Sequence, residues 1–268
     1  MLFRSLNRGV GKAIHDYDMI SDGDRIAVGL SGGQDSLTLL WLLQERLRRI
    51  PVHYEIVPVY IDPGFEPGFS ARLKDYCRQW GLELRVEETR HGILAHSPEN
   101  RENPCFLCSH LRRKRLFEIA DELGCRKLAL GHNKDDLIET LFLNICYAGE
   151  ICTMVPSQNF FKGKFTVIRP LAFVDETIIR KFAKENRFPV FDNPCPTSGT
   201  SKRKEIKEML GQLYLGNANV KGNIFRAMSH VRTDYLLKDH SKRRKRSGNR
   251  HESTQIRESG HDAPPSAQ

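Results

Sequence analysis

Several residue clusters in this 268-residue chain have the types and spacing for chemistry. Ser31-Gly32-Gly33-Gln34-Asp35-Ser36 follows directly on the apolar run Arg25–Leu30. The two glycines let the backbone approach a ligand closely and take positive φ. Ser31 and Ser36 add hydroxyls. A helix opening near Asp35 would aim free N–H groups and the positive end of its dipole at the same spot. The result is an anion cradle of phosphate size. It is not a Walker A loop, because G-x-x-x-x-G-K-[ST] is absent.

Cys105-Phe-Leu-Cys108 opens the most basic helical stretch of the body, SHLRRKRLFEIADELG. A lone C-x₂-C fits a redox pair, half a zinc site or part of a cluster. Cys195 stands between prolines, far from any apolar stripe, which is a poor place for a core thiol. Three such thiols can hold a [4Fe–4S] cluster with one iron left open. Zinc with a histidine such as His110, or three unrelated thiols, remain open on the residues alone. The chain has seven cysteines, an odd number, and shows no export signal, so a disulfide framework is not expected. Cys77, Cys125 and Cys146 read as core or near-core thiols, and Cys152 as a loop thiol.

The last cluster is LALGHNKDDLIETLFLN. Gly131 and His132 end an apolar run, and Asp135 and Asp136 begin a helix, where carboxylates suit the dipole. Simple capping is an equal reading for both. Arg112, Arg113 and Lys114 follow the cysteine pair and suit phosphate contacts or a solvated basic face.

Elements must hold these clusters together. Strands are expected at Arg25–Leu30, Tyr54–Ile61, Leu82–Glu87, Lys127–Leu130 and Phe165–Ile168. Helices are expected at 2–20, Leu37–Arg49, Ser70–Trp80, Phe106–Leu123, Asp135–Cys146, 175–186, 202–213 and 220–237, and Arg90–Asn103 reads as loop. Alternating strands and helices with long crossovers predict an α/β fold, a doubly wound parallel five-stranded sheet. Ligands then sit beyond the carboxyl ends of the strands, where SGGQDS and GHNKDD both fall. The net charge of +9 suits a polyanionic partner. Residues 238–268, with SKRRKR, read as a disordered basic tail that adds RNA affinity or only solubility. No run is long and apolar enough for a bilayer span, and a soluble, cytoplasmic protein is expected.

SGGQDS resembles the pyrophosphate loop of the N-type ATP pyrophosphatases. With PCFLCSHLRRKRLFEIADELG, KLALGHNKDDLIETLFLN, IRPL and Pro-Cys-Pro in this order, residues 1–237 resemble the TtcA family, the tRNA 2-thiocytidine synthetases. Gln34 stands where many relatives carry Lys, and Asn133 where the family's GHHxDD has its second histidine. The related uridine-thiolating group carries N-terminal cysteine pairs, and this chain has no cysteine before Cys77. The lysidine synthetases share the loop and lack the cluster cysteines.

The resemblance implies an adenine nucleotide alpha hydrolase-like (PP-loop) fold with helical additions. An N-terminal helix would span 1–24, the ATP-binding domain 25–172, and a helical part carrying Cys195 173–237. It implies ATP-dependent sulfur insertion at C2 of a cytidine in the tRNA anticodon loop, by adenylation of the C2 oxygen. ATP would meet Ser31–Ser36, Asp62, Gly131 and His132. Asp35 or Asp135 would hold Mg²⁺, or Asp135 would orient the base. Cys105, Cys108 and Cys195 would carry the [4Fe–4S] cluster. Lys114 would act near the intermediate, and Arg112 and Arg113 would contact RNA. A sulfur donor (a cysteine desulfurase or sulfide) and a homodimer are also implied. A thiolase for another base, or a non-enzymatic metal- and RNA-binding sensor, are the alternatives.

Overall fold

Alternate residues of the first strand enter opposite cores. Ile26, Val28 and Leu30 pack into one apolar cluster, and Ala27 packs into a second on the other face. That arrangement requires a sheet covered on both sides. The structure, a computed structural model, describes residues 2–191, 194–197 and 201–237. They fall in two units divided after Phe225. The second contains the end of the last helix and one 3₁₀ turn, Thr233–Tyr235. Everything below concerns the first. The expected tail lies outside the described residues.

The strands are β1 (Asp24–Leu30), β2 (Tyr54–Asp62), β3 (Arg85–Glu88), β4 (Lys127–Leu130), β5 (Ser157–Phe160) and β6 (Phe165–Ile168). Their order is β3-β2-β1-β4-β6-β5. All pairs are parallel except β5 with β6. The α/β class and the parallel core are therefore as expected, with a sixth, antiparallel edge strand added. Ser-Gln-Asn-Phe is largely polar and half exposed, so it carries no strand signal. Strand order reverses at β1, which opens the ligand crevice between the ends of β1 and β4. Pairing of Gly29 with Leu130 sets the 31–36 loop beside Gly131.

The helices are α1 (Leu2–Asp16), α2 (Gln34–Leu47), α3 (Ser70–Gln79), α4 (His91–Ala95), α5 (Pro104–Glu122), α6 (Lys134–Leu143), α7 (Glu176–Glu185), α8 (Lys202–Gly216) and α9 (Val220–Ala227). The segment read as loop at 90–103 contains α4, a single turn too short for periodicity to reveal. The last expected helix stops at Ala227 rather than at 237. After α6 the chain makes a π turn, Asn144–Ala148, closed by Gly149 at φ 68°. That turn leaves Cys146 exposed, contrary to expectation, whereas Cys77 and Cys125 are buried.

Gly131 shows how tightly α2 meets β4. A Cβ there would lie 2.9 Å from Ser36 N and 3.0 Å from Asp35 C. Both are backbone atoms and cannot swing aside. Gly131→Ala is expected to destabilise the protein by about 1–3 kcal/mol, and a urea titration measures it.

Candidate active site

The phosphate loop is held by its own hydroxyls. Ser36 Oγ donates to Gly33 O at 2.9 Å and accepts from Ser31 N at 3.2 Å. Gly33 N donates to Ser31 Oγ at 3.3 Å. Gly32 takes φ +76°, and a Cβ on it would strike the Phe69 ring at 2.7 Å. Gly33 caps α2 with backbone alone, and no side chain satisfies the first N–H groups of the helix. An anion is their natural partner.

In front of the loop lies a cavity of about 270 Å³, lined by Ser31, Asp35, Ser36, Arg112, Arg113, Gly131, His132 and Asp136 among others. Arg112 and Arg113 thus face the phosphate loop from the first half of α5. Burial pushes His132 down to about 3, and Arg169, Arg203, Arg112 and Arg113 add to the effect. The imidazole is therefore neutral, and its buried Nδ1 has no protein partner. Arg169, from the Ile-Arg-Pro-Leu motif, is 7% exposed. Burial and Arg113 push it down to about 10, which leaves it charged at neutral pH.

Two carboxyls oppose these cations. Burial, then Asp136 and Glu176, push Asp35 up to about 7. Asp136 is also raised, chiefly by burial. Asp136 Oδ2 accepts from Asn133 N at 2.9 Å, while Asn133 Oδ1 accepts from Asp136 N at 3.1 Å. Asn133 thus caps α6, a task that needs only a short side-chain acceptor. Two crowded carboxyls beside an anion cradle fit Mg²⁺, which binds through one or two carboxylates plus phosphates.

Other candidates lie elsewhere. Asp135 accepts from Glu176 N at 2.8 Å and pairs with Lys221 at 2.6 Å. It ties α6 to α7 and α9 and does not line the cavity, so the carboxyls that face the loop are Asp35 and Asp136. Lys114 is exposed and 3.9 Å from Glu118, on a different face of α5 from the cavity. Gln34 lines neither cavity described here. Asp62 accepts from Gly64 N at 2.9 Å and faces a separate cleft with Phe65, Glu66 and Thr89.

Asn103 and Pro104 bring the cysteine pair into line. Asn103 Oδ1 accepts from Cys105 N at 3.0 Å and Phe106 N at 3.2 Å, and proline takes the first helical turn. Cys105 and Cys108, three residues apart, then share one face of α5. Together with Cys195 they line a second cavity, of about 350 Å³. Thr197 Oγ1 lies 3.4 Å from Cys105 Sγ and 3.4 Å from Cys195 Sγ. Cys108 is raised by burial, with Cys195 and Cys105 contributing against Arg112. Tyr60, Phe65, Phe69 and Phe191 wall the same cavity, and Leu30, Ser31, Ile61, Ser109 and Arg112 are common to both. The thiols and the phosphate loop therefore border adjoining cavities. Arg169, His96 and the aromatic wall carry no signal of their own in one sequence, since each type has a commoner packing role.

A family profile described as PP-loop domain matches residues 4–213. The tRNA-cytidine(32) 2-sulfurtransferase of Geobacter sulfurreducens is 43% identical over 239 residues, covering 88% of this chain and 93% of that one. The enzyme of the same name from Geotalea uraniireducens is 42% identical over 240 residues, covering 88% and 95%. The chain belongs to the PP-loop family. Within it, the chain groups with the tRNA-cytidine(32) 2-sulfurtransferases, as the motifs suggested. A solved U34-tRNA thiolase, NcsA from Methanococcus maripaludis with its [4Fe-4S] cluster, shares the fold at TM-score 0.70 and 24% identity, over 88% of this chain and 80% of that one.

The PP-loop chain offers three thiols lining one cavity, two of them touching a common hydroxyl. Among the described residues, no group of His, Cys, Asp and Glu is arranged around a single metal ion. Thr197 Oγ1 is in contact with both Cys105 Sγ and Cys195 Sγ. All-sulfur donors in an aromatic-walled cavity fit an iron–sulfur cluster. No described helix is long and apolar enough to cross a membrane.

Proposed function

We propose that this protein is an ATP-dependent tRNA sulfurtransferase that forms 2-thiocytidine in the anticodon loop. The observation that carries the reading is the adjacency of the phosphate loop and the three thiols, with Ser31 and Arg112 bordering both cavities. The C2 oxygen of cytosine leaves poorly. Attack of that oxygen on the α-phosphate of ATP forms an adenylate and releases pyrophosphate. The uncapped N–H groups of α2 take the pyrophosphate, and Arg112 and Arg113 offset its charge. Asp35 and Asp136 would hold Mg²⁺, which would offset the charge of the phosphates. Neutral His132 offers a hydrogen bond without adding charge. Tyr60, Phe69 and Phe191 give an unstacked base an aromatic wall. Cys105, Cys108 and Cys195 would hold a [4Fe–4S] cluster, which would supply the sulfur that replaces the activated oxygen at C2. A cysteine desulfurase or free sulfide would supply that sulfur.

Anaerobically purified protein is expected to release AMP and pyrophosphate only with tRNA present, and to place 2-thiocytidine in that tRNA. Release without tRNA, or 2-thiouridine in its place, would overturn the reading. Arg113→Ala is expected to weaken ATP binding by about 10- to 100-fold, the worth of one charge-assisted contact. Calorimetry with a non-hydrolysable analogue checks it.

A further inference from the structure

The first turn of α8 carries Lys202, Arg203 and Lys204. They stand at the positive end of a helix dipole, where cations are disfavoured. Two of them are answered within the helix. Lys202 pairs with Glu205 at 2.9 Å and Lys204 with Glu208 at 4.0 Å. Arg203 differs, because its acceptors are all on α6. Its Nη1 donates to Glu139 Oε2 at 3.1 Å and to Asp136 Oδ1 at 3.3 Å. Its Nη2 donates to Thr140 Oγ1 at 3.2 Å. Its charge also acts on His132, in the phosphate cavity.

The two carboxyls that Arg203 meets differ. Glu139 is buried and has a second cation, Lys207, at 3.7 Å. Asp136 lines the phosphate cavity. Its Oδ2 is committed to the cap of α6, where it accepts from Asn133 N at 2.9 Å. Among the described residues, Arg203 is the one hydrogen-bond partner of the other oxygen, Oδ1. That oxygen is the one a cation at Asp136 would take. The Asp136 contact is also the longest of the three, and Glu139 and Thr140 hold the guanidinium without it. Resting on the assignment of Mg²⁺ to Asp35 and Asp136 above, we propose that Arg203 is a positioning residue. Its guanidinium is the resident counter-ion of Asp136 Oδ1 in the empty enzyme, and it yields that oxygen to the cation while staying anchored on Glu139 and Thr140. The empty site is thereby spared an unpaired carboxylate beside Asp35. After the exchange, Arg203 remains as a positive charge behind Asp136.

The test is a titration of the full chain, free of nucleotide, with Mn²⁺ in place of Mg²⁺. Electron paramagnetic resonance separates free from bound Mn²⁺. Arg203→Gln is expected to bind Mn²⁺ about 10-fold more tightly than the unchanged protein, because the cation no longer displaces a charge-assisted hydrogen bond. Arg203→Lys keeps a charge but loses the fork, and is expected to fall between the two. An arginine that only braces the fold gives the opposite sign, since a slack Asp136 binds the cation more weakly. Equal or weaker Mn²⁺ binding in Arg203→Gln, or no binding by either protein, overturns the proposal. Lys207 still answers Glu139 in this variant, and a melting curve checks that it folds. Should it not fold, Arg203→Lys carries the test with the same signs. Adding Asp136→Asn to Arg203→Gln is expected to erase the gain, and a gain that survives also overturns the proposal. The thiolation reading is judged separately, by tRNA-dependent AMP release and 2-thiocytidine in the unchanged protein, and neither depends on the sign of the Mn²⁺ shift.

Discussion

Cys105→Ser abolishes tRNA thiolation and strips the protein of bound iron, yet leaves the fold and the ATP site intact. That is the expected result, and the position of the thiol dictates it. Cys105 is exposed at the start of α5, and its backbone N–H is held by Asn103 Oδ1, so serine keeps the helix cap. No core contact is lost, and the melting temperature should stay close to that of the unchanged protein. The phosphate cavity does not include Cys105, and ATP affinity should change by no more than about twofold. Thiolation should fall by more than the roughly 10- to 100-fold typical of losing a residue that only supports a metal ligand. Cys195→Ser should behave alike. Cys146→Ser is the control, exposed to a similar degree and remote from both cavities, and should retain activity. Iron content, ATP calorimetry and nucleoside analysis of the tRNA check the three parts separately. Full activity in Cys105→Ser would remove the cysteine centre from the reaction.

The contrast between these thiols shows what one sequence reveals. Cys195 was conspicuous because prolines flank it and no apolar stripe claims it, and it does border the same cavity as Cys105 and Cys108. The parallel strands were legible because strands buried on both faces leave continuous apolar runs. The edge strand β5 was not, since it is held by its partner rather than by its own pattern. The choice between neighbouring carboxylates was also hidden. Asp135 and Asp136 share a helix turn, and either can serve as an N-terminal charge. Lys221 and the Glu176 N–H, from elements 41 or more positions away in the chain, draw Asp135 outward. Arg203 likewise reaches Asp136 and Glu139 from α8 at 3.3 and 3.1 Å. Such contacts are set by packing, and no local spacing encodes them. Ile-Arg-Pro-Leu is visible as a motif, but only the fold reveals that its arginine is buried where its charge acts on His132.

Asp35→Asn should make the protein more stable and less active at once. The Asp35 carboxyl is pushed from 3.8 up to about 7 by burial and by the nearby Asp136 and Glu176 carboxylates. Between these values the folded protein keeps a proton that the unfolded chain has released. The favourable contribution is thus complete below about pH 4 and is lost as pH rises through 7. Asparagine has nearly the same shape and never ionises. In metal-free, nucleotide-free protein, the variant should match the unchanged protein below about pH 4 and pull ahead as pH rises. Roughly 2–4 kcal/mol should separate them at pH 8, with part of the gain coming from relief of Asp136. Urea titrations at pH 5 and pH 8 measure the difference directly, and a gap that narrows with rising pH would show the sign to be wrong. Activity should move the other way, because an amide carries no charge to hold Mg²⁺ against the phosphates. A loss on the order of 10²–10³-fold in tRNA-dependent pyrophosphate release is expected. A carboxylate that destabilises the empty fold is explicable if its charge is balanced only when cation and nucleotide arrive. Excess Mg²⁺-ATP should therefore raise the stability of the unchanged protein at pH 8 more than that of the variant.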